Sequence, residues 1–336
     1  MKKKAVLFLN IGSPKTTEVK DVQSYLNRFL MDPFVINIPY IFRWLFIKKL
    51  VVPRRAPRSA KAYQKVWTKD GSPLVSLTKK LMNNLNLTDP DHEWFSAMRY
   101  SEPEVLDVLT EIKNKGYEDI IIFPAYPQYA TSSTESTIHY VKEKLNVMDW
   151  KPHLFQVQDF YLDPEFIENV LLEIPKQIEP QTYDHVLFSF HGLPESHLKK
   201  ISPVCQFSTC CDQITEENKK CYRAQCYQTA KAVATKLGLD PDKWSMSFQS
   251  RLGPVKWIQP YTDQVTVDMA SESTKSLLVF SLAFVTDCLE TLEELDLELK
   301  KEFLAHGGEK FERVPCLNER FYSAVNIAKK VSKINF

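Results

Sequence analysis

The chain has 336 residues, 44% hydrophobic and 25% charged. That is enough for about two domains of roughly 150 residues with ordinary cores, and it excludes a disordered chain. The 43 basic and 42 acidic residues leave a net charge of +1, which gives no reason to expect a nucleic-acid partner.

The opening run Ala5-Val6-Leu7-Phe8-Leu9 follows three lysines. It is short, lacks a small-residue cleavage site and flows into a turn, so it predicts a first buried strand and no signal peptide. The strand candidates in chain order are Ala5–Ile11, Glu93–Met98, Asp119–Pro124, Leu154–Asp159, His185–Phe190, Ser245–Gln249 and Ser276–Ala283. Between them the helical spacing recurs over Glu18–Leu30, Pro73–Leu85, Pro103–Lys115, Glu135–Leu145, Pro164–Gln177 and Tyr222–Leu237. This alternation predicts an α/β fold with parallel sheets, helices on both faces and ligands at the carboxyl ends of the strands. The breaks at Pro152 and Pro164 place a boundary near residues 146–165, giving domains 1–160 and 161–320. A last helical run, Phe321–Ile334, is expected to pack back on the first domain. No internal repeat is visible. The first strand ends in Asn10-Ile11-Gly12-Ser13-Pro14, which is not G-x-G-x-x-G, and no Walker A pattern occurs. Nicotinamide and ATP enzymes are therefore disfavoured.

Four groups carry chemistry. The most apolar window, Phe34 to Val52, is broken by Asn37, Pro39, Arg43, Lys48 and Lys49, short of the ~20 residues of a membrane span. With Arg54 and Arg55 behind it, it fits a membrane-surface element or the mouth of a site for a large apolar anion, against the alternative of a core helix with a snorkelling edge. His191 ends a buried-strand pattern before Gly192 and Pro194. An imidazole at a sheet's carboxyl edge suits a proton acceptor or metal ligand, and equally a hydrogen-bonded strand cap. Five of the seven cysteines then follow as Cys205-x4-Cys210-Cys211-x9-Cys221-x4-Cys226, crowding that reads as a metal or iron–sulfur site. Last, Asp287, Glu290 and Glu294 are spaced to share one face of an α-helix that starts at a strand end. A line of carboxylates there needs a cation or shared protons, unless it is a solvated acidic face or a helix cap.

Eight motifs in order resemble the ferrochelatases, the family that inserts ferrous iron into a porphyrin to make haem. They are Leu9-Asn10-Ile11-Gly12-Ser13-Pro14; Pro53-Arg54-Arg55 with Tyr63; Asp70-Gly71-Ser72-Pro73; Met98-Arg99-Tyr100; Phe123-Pro124-Ala125-Tyr126-Pro127-Gln128-Tyr129; Ser189-Phe190-His191-Gly192-Leu193-Pro194; Phe248-Gln249-Ser250-Arg251-Leu252-Gly253-Pro254 with Trp257; and Thr286-Asp287-Cys288-Leu289-Glu290-Thr291-Leu292. The resemblance runs through the whole chain. It implies two doubly wound Rossmann-like domains with parallel four-stranded sheets and an active site in the cleft between them. It makes His191 and Glu290 the catalytic pair and the ligands of the substrate Fe2+. Asp287 and Glu294 become an acidic path on a helix with a wide π-type turn. Arg55, Tyr63 and Ser72 fall near the porphyrin propionates, and Ile11, Arg99 and Trp257 line the pocket. Residues about 31–55 become a hydrophobic lip that meets the membrane.

Two departures stand out. Cys288 occupies the place where many members carry a second histidine, as in the enterobacterial branch. The C-terminal cysteine group of the animal enzymes has no counterpart, and Ala130 stands where they place a further cysteine. Four of Cys205, Cys210, Cys211, Cys221 and Cys226 are instead expected to hold a [2Fe–2S] cluster, with zinc as runner-up, as in some bacterial members. The substrate expected is protoporphyrin IX and the product protohaem, with coproporphyrin as the alternative. The location expected is the cytoplasm, at the inner face of the membrane. A porphyrin carrier would need no inward carboxylate line, and an iron–sulfur redox protein would need neither lip nor His191. Oligomeric state is left open.

Overall fold

The computed structural model describes residues 3–202, 205, 209–253 and 255–334. They fall into two compact units, one within Met1–Tyr126, Ala130–Gln158 and Asn318–Phe336, the other Pro127–Tyr129 and Asp159–Leu317. No helix among the described residues is long and apolar enough to cross a membrane.

In the first unit, β1 (Lys4–Asn10), β2 (His92–Met98), β3 (Asp119–Pro124) and β4 (His153–Gln156) pair in parallel in the order β2-β1-β3-β4. The period-two alternation of β1 decides what each face buries. Ala5, Leu7 and Leu9 pack with Leu109 and Ile112 of the helix Val105–Asn114 and with Val141 and Leu145 of the helix Ser136–Val147. On the opposite face Phe8 and Trp94 pack against Phe123, which meets Phe321 edge-on at 6.2 Å.

The expectation of a four-stranded sheet is corrected here. Ser332–Ile334 forms a fifth strand, β9, antiparallel to β4. The expected helix over 321–334 shrinks to Ala324–Lys329. The edge of β4 offers unpaired backbone groups, and pairing there also packs Ile334 against the core. Continuing the helix would satisfy neither.

Asp89 anchors the start of β2. Its carboxylate accepts hydrogen bonds from Trp94 Nε1 and His92 Nδ1, both at 2.8 Å, and from the Asp91 N–H at 2.9 Å. Burial pushes this carboxyl up, and the bonds from Trp94, Asp91 and His92 outweigh it, so it titrates below the ordinary 3.8. Its contribution to stability is therefore present above that value and lost as pH falls through the lower folded one. Asp89→Ala should cost about 2–3 kcal/mol in urea unfolding near pH 7 and flatten the acid limb of the stability–pH curve.

In the second unit, β5 (His185–His191), β6 (Trp244–Gln249), β7 (Ser276–Phe280) and β8 (Lys310–Arg313) are parallel in the order β6-β5-β7-β8. The parallel part of the first sheet has the same order, first strand flanked by second and third, so a repeat of topology exists where none shows in sequence. Leu187, Leu277 and Val279 face Leu295, Leu299 and Phe303. The chain reverses direction across the sheet between β5 and β7, which makes their carboxyl ends the natural crevice.

Candidate active site

His191 is the last residue of β5, opposite Gln249 of β6. Its Nδ1 lies 2.6 Å from the Gly192 carbonyl oxygen. A carbonyl only accepts, so Nδ1 carries a proton, and in the neutral imidazole the lone pair is on Nε2. Tyr222 donates to the His191 carbonyl at 2.8 Å, and Phe284 stands edge-on to the imidazole at 6.3 Å. Gly192 is required by close approach: a Cβ there would lie 2.8 Å from the Gln249 carbonyl oxygen and 3.2 Å from Trp257 Cε3. Trp257 is buried against this turn and donates through Nε1 to the Leu252 carbonyl at 2.9 Å.

The second arm follows β7. Residues 281–289 lead into a π-helix, Glu290–Leu299. The α-helical face expected for Asp287, Glu290 and Glu294 is therefore corrected, because Asp287 precedes the helix and the helix is wider than α. Extended π-helix is rare and marks functional sites. Glu294 is held from β6 and the turn after it. The Ser250 N–H donates to its Oε1 at 2.8 Å, the Ser250 hydroxyl donates to its Oε2, and Gln249 Nε2 approaches Oε2 at 3.3 Å. Gln249 Nε2 also donates to the Glu290 carbonyl oxygen at 2.9 Å, tying the first turn of the π-helix to β6. Ser250 adopts φ +68°, a left-handed conformation that costs a side-chain-bearing residue roughly 1–2 kcal/mol. That conformation aims both of its donors at one carboxylate. Burial pushes the Glu294 carboxyl up; the Ser250 bond and the charge of His191 pull it down, and Glu290 pushes it up again. His191 and Glu290 thus both act on the Glu294 carboxyl.

Asp287 is buried in an ion pair with Arg313 Nη1 at 2.9 Å and accepts from Thr291 Oγ1 at 2.9 Å. Cys288 and Cys316 are both buried, in keeping with small apolar core residues.

In the first unit, Ile11 follows β1, half-buried. Arg99, just after β2, donates to Asp32 at 2.6 Å and to Ser136 at 3.2 Å, with Tyr140 3.9 Å from its guanidinium carbon. Its guanidinium is held by these three partners. Ser72, before the helix Pro73–Thr88, is buried with its hydroxyl 2.7 Å from that of Ser13. Arg55 and Tyr63 lie on the helix Val52–Val66, Arg55 half-buried and Tyr63 buried. Before that helix, Tyr40, Ile41 and Phe42 are 63–70% exposed, with Ile38, Leu45, Phe46 and Leu50 also exposed. Arg43 is buried beneath them, donating to the Ile36 and Ile38 carbonyls at 3.0 and 3.2 Å. So much exposed apolar surface rules out the core-helix alternative for this stretch.

Among the cysteines, Cys221 precedes the helix Tyr222–Lys236, which carries the buried Cys226. Arg223 Nη1 donates to Cys211 Sγ at 2.9 Å, and the N–H groups of Ala224 and Arg223 reach Cys221. Burial pushes the Cys211 thiol up to about 12 and those of Cys221 and Cys226 up as well. Cys210 and Cys221 lie close enough to Cys211 that their negative charge would raise its thiol further, as Cys210 would that of Cys221 and as Cys211 and Cys221 would that of Cys226. Around Cys205, residues 203, 204 and 206–208 lie outside the described residues. Thiols crowded beside N–H donors fit a thiolate-held group in chemistry. In geometry, no three His, Cys, Asp or Glu among the described residues are placed to hold a metal ion.

Gln249, Ser250, Asp32 and Arg313 carry parts of this architecture that the spacing of residues did not single out. Gln249 and Ser250 sit inside a motif already quoted, so a signal existed for them; Arg313 and Asp32 had none.

The fold and the paired imidazole–carboxylate arms define a chelatase-type α/β protein. The fold is shared with the sirohydrochlorin chelatase SirB of Bacillus subtilis, solved with Fe3+ (TM-score 0.52, 10% identity, 97% of this chain and 92% of that one). A cobalt complex of the enzyme from Bacillus subtilis subspecies spizizenii superposes with TM-score 0.51 at 10% identity, over 97% of this chain and 92% of that one. The Ferrochelatase family model matches residues 3–333. A ferrochelatase of Pseudomonas savastanoi pv. phaseolicola is 42% identical over 324 residues, 94% of this chain and 93% of the relative. That of Bdellovibrio bacteriovorus is 39% identical over 320 residues, 95% of this chain and 96% of the relative. The chain belongs to the ferrochelatase family.

Proposed function

We propose that this chain inserts ferrous iron into protoporphyrin IX to give haem, the last step of haem synthesis, with His191 as acceptor of the pyrrole protons and Glu290 as first holder of the substrate ion. One observation carries this assignment of roles. The bond from His191 Nδ1 to the Gly192 carbonyl leaves Nε2 of the neutral imidazole basic, and the Glu294 carboxylate, itself acted on by Glu290, lies within reach of the charge it would gain. A flat porphyrin resists metallation because its two N–H groups point into the ring and are weak acids. A site complementary to a bent macrocycle exposes the nitrogen lone pairs and lowers that barrier. Nε2 takes the two pyrrole protons one after the other, giving up the first before it accepts the second, and Glu290 and Glu294, the latter raised by burial, pass both on to solvent. Carboxylate and imidazole hold Fe2+ less tightly than thiolates do, so the ion can be handed on. Haem, flat again, fits poorly and leaves.

Arg55, Tyr63 and Ser72 are assigned to the propionates, and Ile11, Arg99 and Trp257 to the walls. The exposed apolar stretch from Ile38 to Leu50, with Lys48 and Lys49, suits a membrane surface that supplies an apolar substrate. We assign the protein to the cytoplasm, at the membrane's inner face. Protoporphyrin carries two propionates and coproporphyrin four, and a lip this apolar favours the former. Anaerobic incubation with Fe2+ and either porphyrin should give haem absorption chiefly with protoporphyrin; a preference for coproporphyrin would overturn the substrate assignment.

Four of Cys205, Cys210, Cys211, Cys221 and Cys226 are assigned to a [2Fe–2S] cluster, with zinc the alternative. Such a cluster supplies one-electron redox chemistry, and no step above needs it. Anaerobically purified protein should show visible iron–sulfur absorption, and Cys226→Ser should abolish it and lower Tm. Colourless protein with one zinc per chain would decide for zinc.

A further inference from the structure

Arg313 ends β8 and is buried, its side chain 4% exposed. It reaches three successive parts of the acidic arm. Its Nε and Nη2 each donate to Asp296 on the π-helix at 2.8 Å, a bidentate pair. Its Nη1 meets Asp287, just before that helix, at 2.9 Å, and stands 3.5 Å from the hydroxyl of Ser281, the first residue after β7. The same nitrogen donates to the Val314 carbonyl at 3.1 Å. Asp287 in turn takes the Thr291 hydroxyl at 2.9 Å, and the Thr291 oxygen takes the Cys288 N–H at 3.0 Å. The point where the chain enters the π-helix is thus fixed by one guanidinium on a neighbouring strand.

A bidentate arginine fork fixes direction as well as distance, which a lysine would not. Glu290 begins the helix three residues after Asp287 and six before Asp296. A shift of the helix along its axis would carry Glu290 with it, and misplacement of a reacting group by 1 Å can cost about 100-fold in rate.

We infer that Arg313 is a positioning residue for iron insertion, clamping the start of the π-helix through Asp287 and Asp296, and that Asp287 serves as the buried anchor of this clamp while Glu290 and Glu294 face the metal. This rests on the proposed roles of His191 and Glu290 and deepens them. It separates Asp287 from the two glutamates with which its spacing had grouped it.

The test is a double-mutant cycle in the full-length protein, reading kcat and KM for Fe2+ in anaerobic haem formation, porphyrin affinity by fluorescence quenching, and Tm. Arg313→Met leaves the Asp287 carboxylate buried without its cation. It should lower Tm and reduce kcat/KM for Fe2+ on the order of 100-fold, with porphyrin affinity within threefold of about the wild-type value. Adding Asp287→Asn removes that stranded charge and should restore Tm and about tenfold of the lost kcat/KM. If Asp287 were a metal or proton carrier, the double variant would be less active than Arg313→Met, and that result overturns the inference. Should Arg313→Met fail to fold, Asp296→Asn decides. Asp296 is 35% exposed, so the fold should survive its loss; KM for Fe2+ should rise about tenfold with porphyrin affinity unmoved, and an unchanged KM overturns the clamp. Wild-type rates in His191→Ala and Glu290→Gln would instead sink the parent assignment, whichever way the cycle falls.

Discussion

His191→Ala should lower haem formation by about 100- to 10,000-fold, the usual worth of a positioned general base, while porphyrin affinity stays within a few-fold of wild type. The imidazole is held by a bond to the next residue's carbonyl, and the strand end is held separately, by Tyr222 on the His191 backbone oxygen and by the Gly192 N–H on the Gln249 carbonyl. Truncation therefore removes the base and leaves the backbone frame, so the variant should fold. Added imidazole should recover part of the rate if the side chain acts as a base. Equal loss of porphyrin affinity and rate would mean that His191 binds substrate and does not take its protons.

Glu290→Gln should reduce kcat/KM for Fe2+ on the order of 100-fold. The amide keeps the shape and removes the charge that draws a divalent ion. The π-helix start should persist, because Gln249 holds the Glu290 carbonyl oxygen through the backbone. Glu294→Gln should cost less. Its neighbours Ser250 and Gln249 can still bond a neutral group, and burial already favours the protonated form of Glu294. If Glu290→Gln and Glu294→Gln were equally impaired in kcat with KM for Fe2+ unchanged, the first ion contact would lie elsewhere.

The buried strands were legible because parallel strands covered on both faces read as unbroken Val, Ile and Phe runs; β1, β3 and β5 show this plainly. β8 was not legible, since Lys310-Phe311-Glu312-Arg313 has one buried apolar side chain among three charged ones. β9 was hidden because Val331 to Ile334 continues a helical pattern, and only the open edge of β4 gives it a reason to extend. The Glu290–Glu294 pairing was visible in spacing, because residues four apart stay near one another in both α and π geometry, whereas the wide turn was implied only by the family resemblance. Asp287 was grouped with them by α-periodicity alone. Its partner Arg313 is 26 positions away on a strand that had not been seen. Arg99 shows the same difficulty: a motif can locate an arginine, but only Asp32, Ser136 and Tyr140 around it reveal that its guanidinium is already engaged.

The proposed function requires that this chain turn over, taking pyrrole protons at His191 and releasing haem. The most direct measurement follows haem formed per chain against time, anaerobically, with Fe2+ and protoporphyrin IX in excess over protein. Haem rising steadily past one equivalent per chain, and nearly abolished by His191→Ala, is the predicted result. Porphyrin that binds at one equivalent without conversion, or haem formation unaffected by His191→Ala, would contradict it.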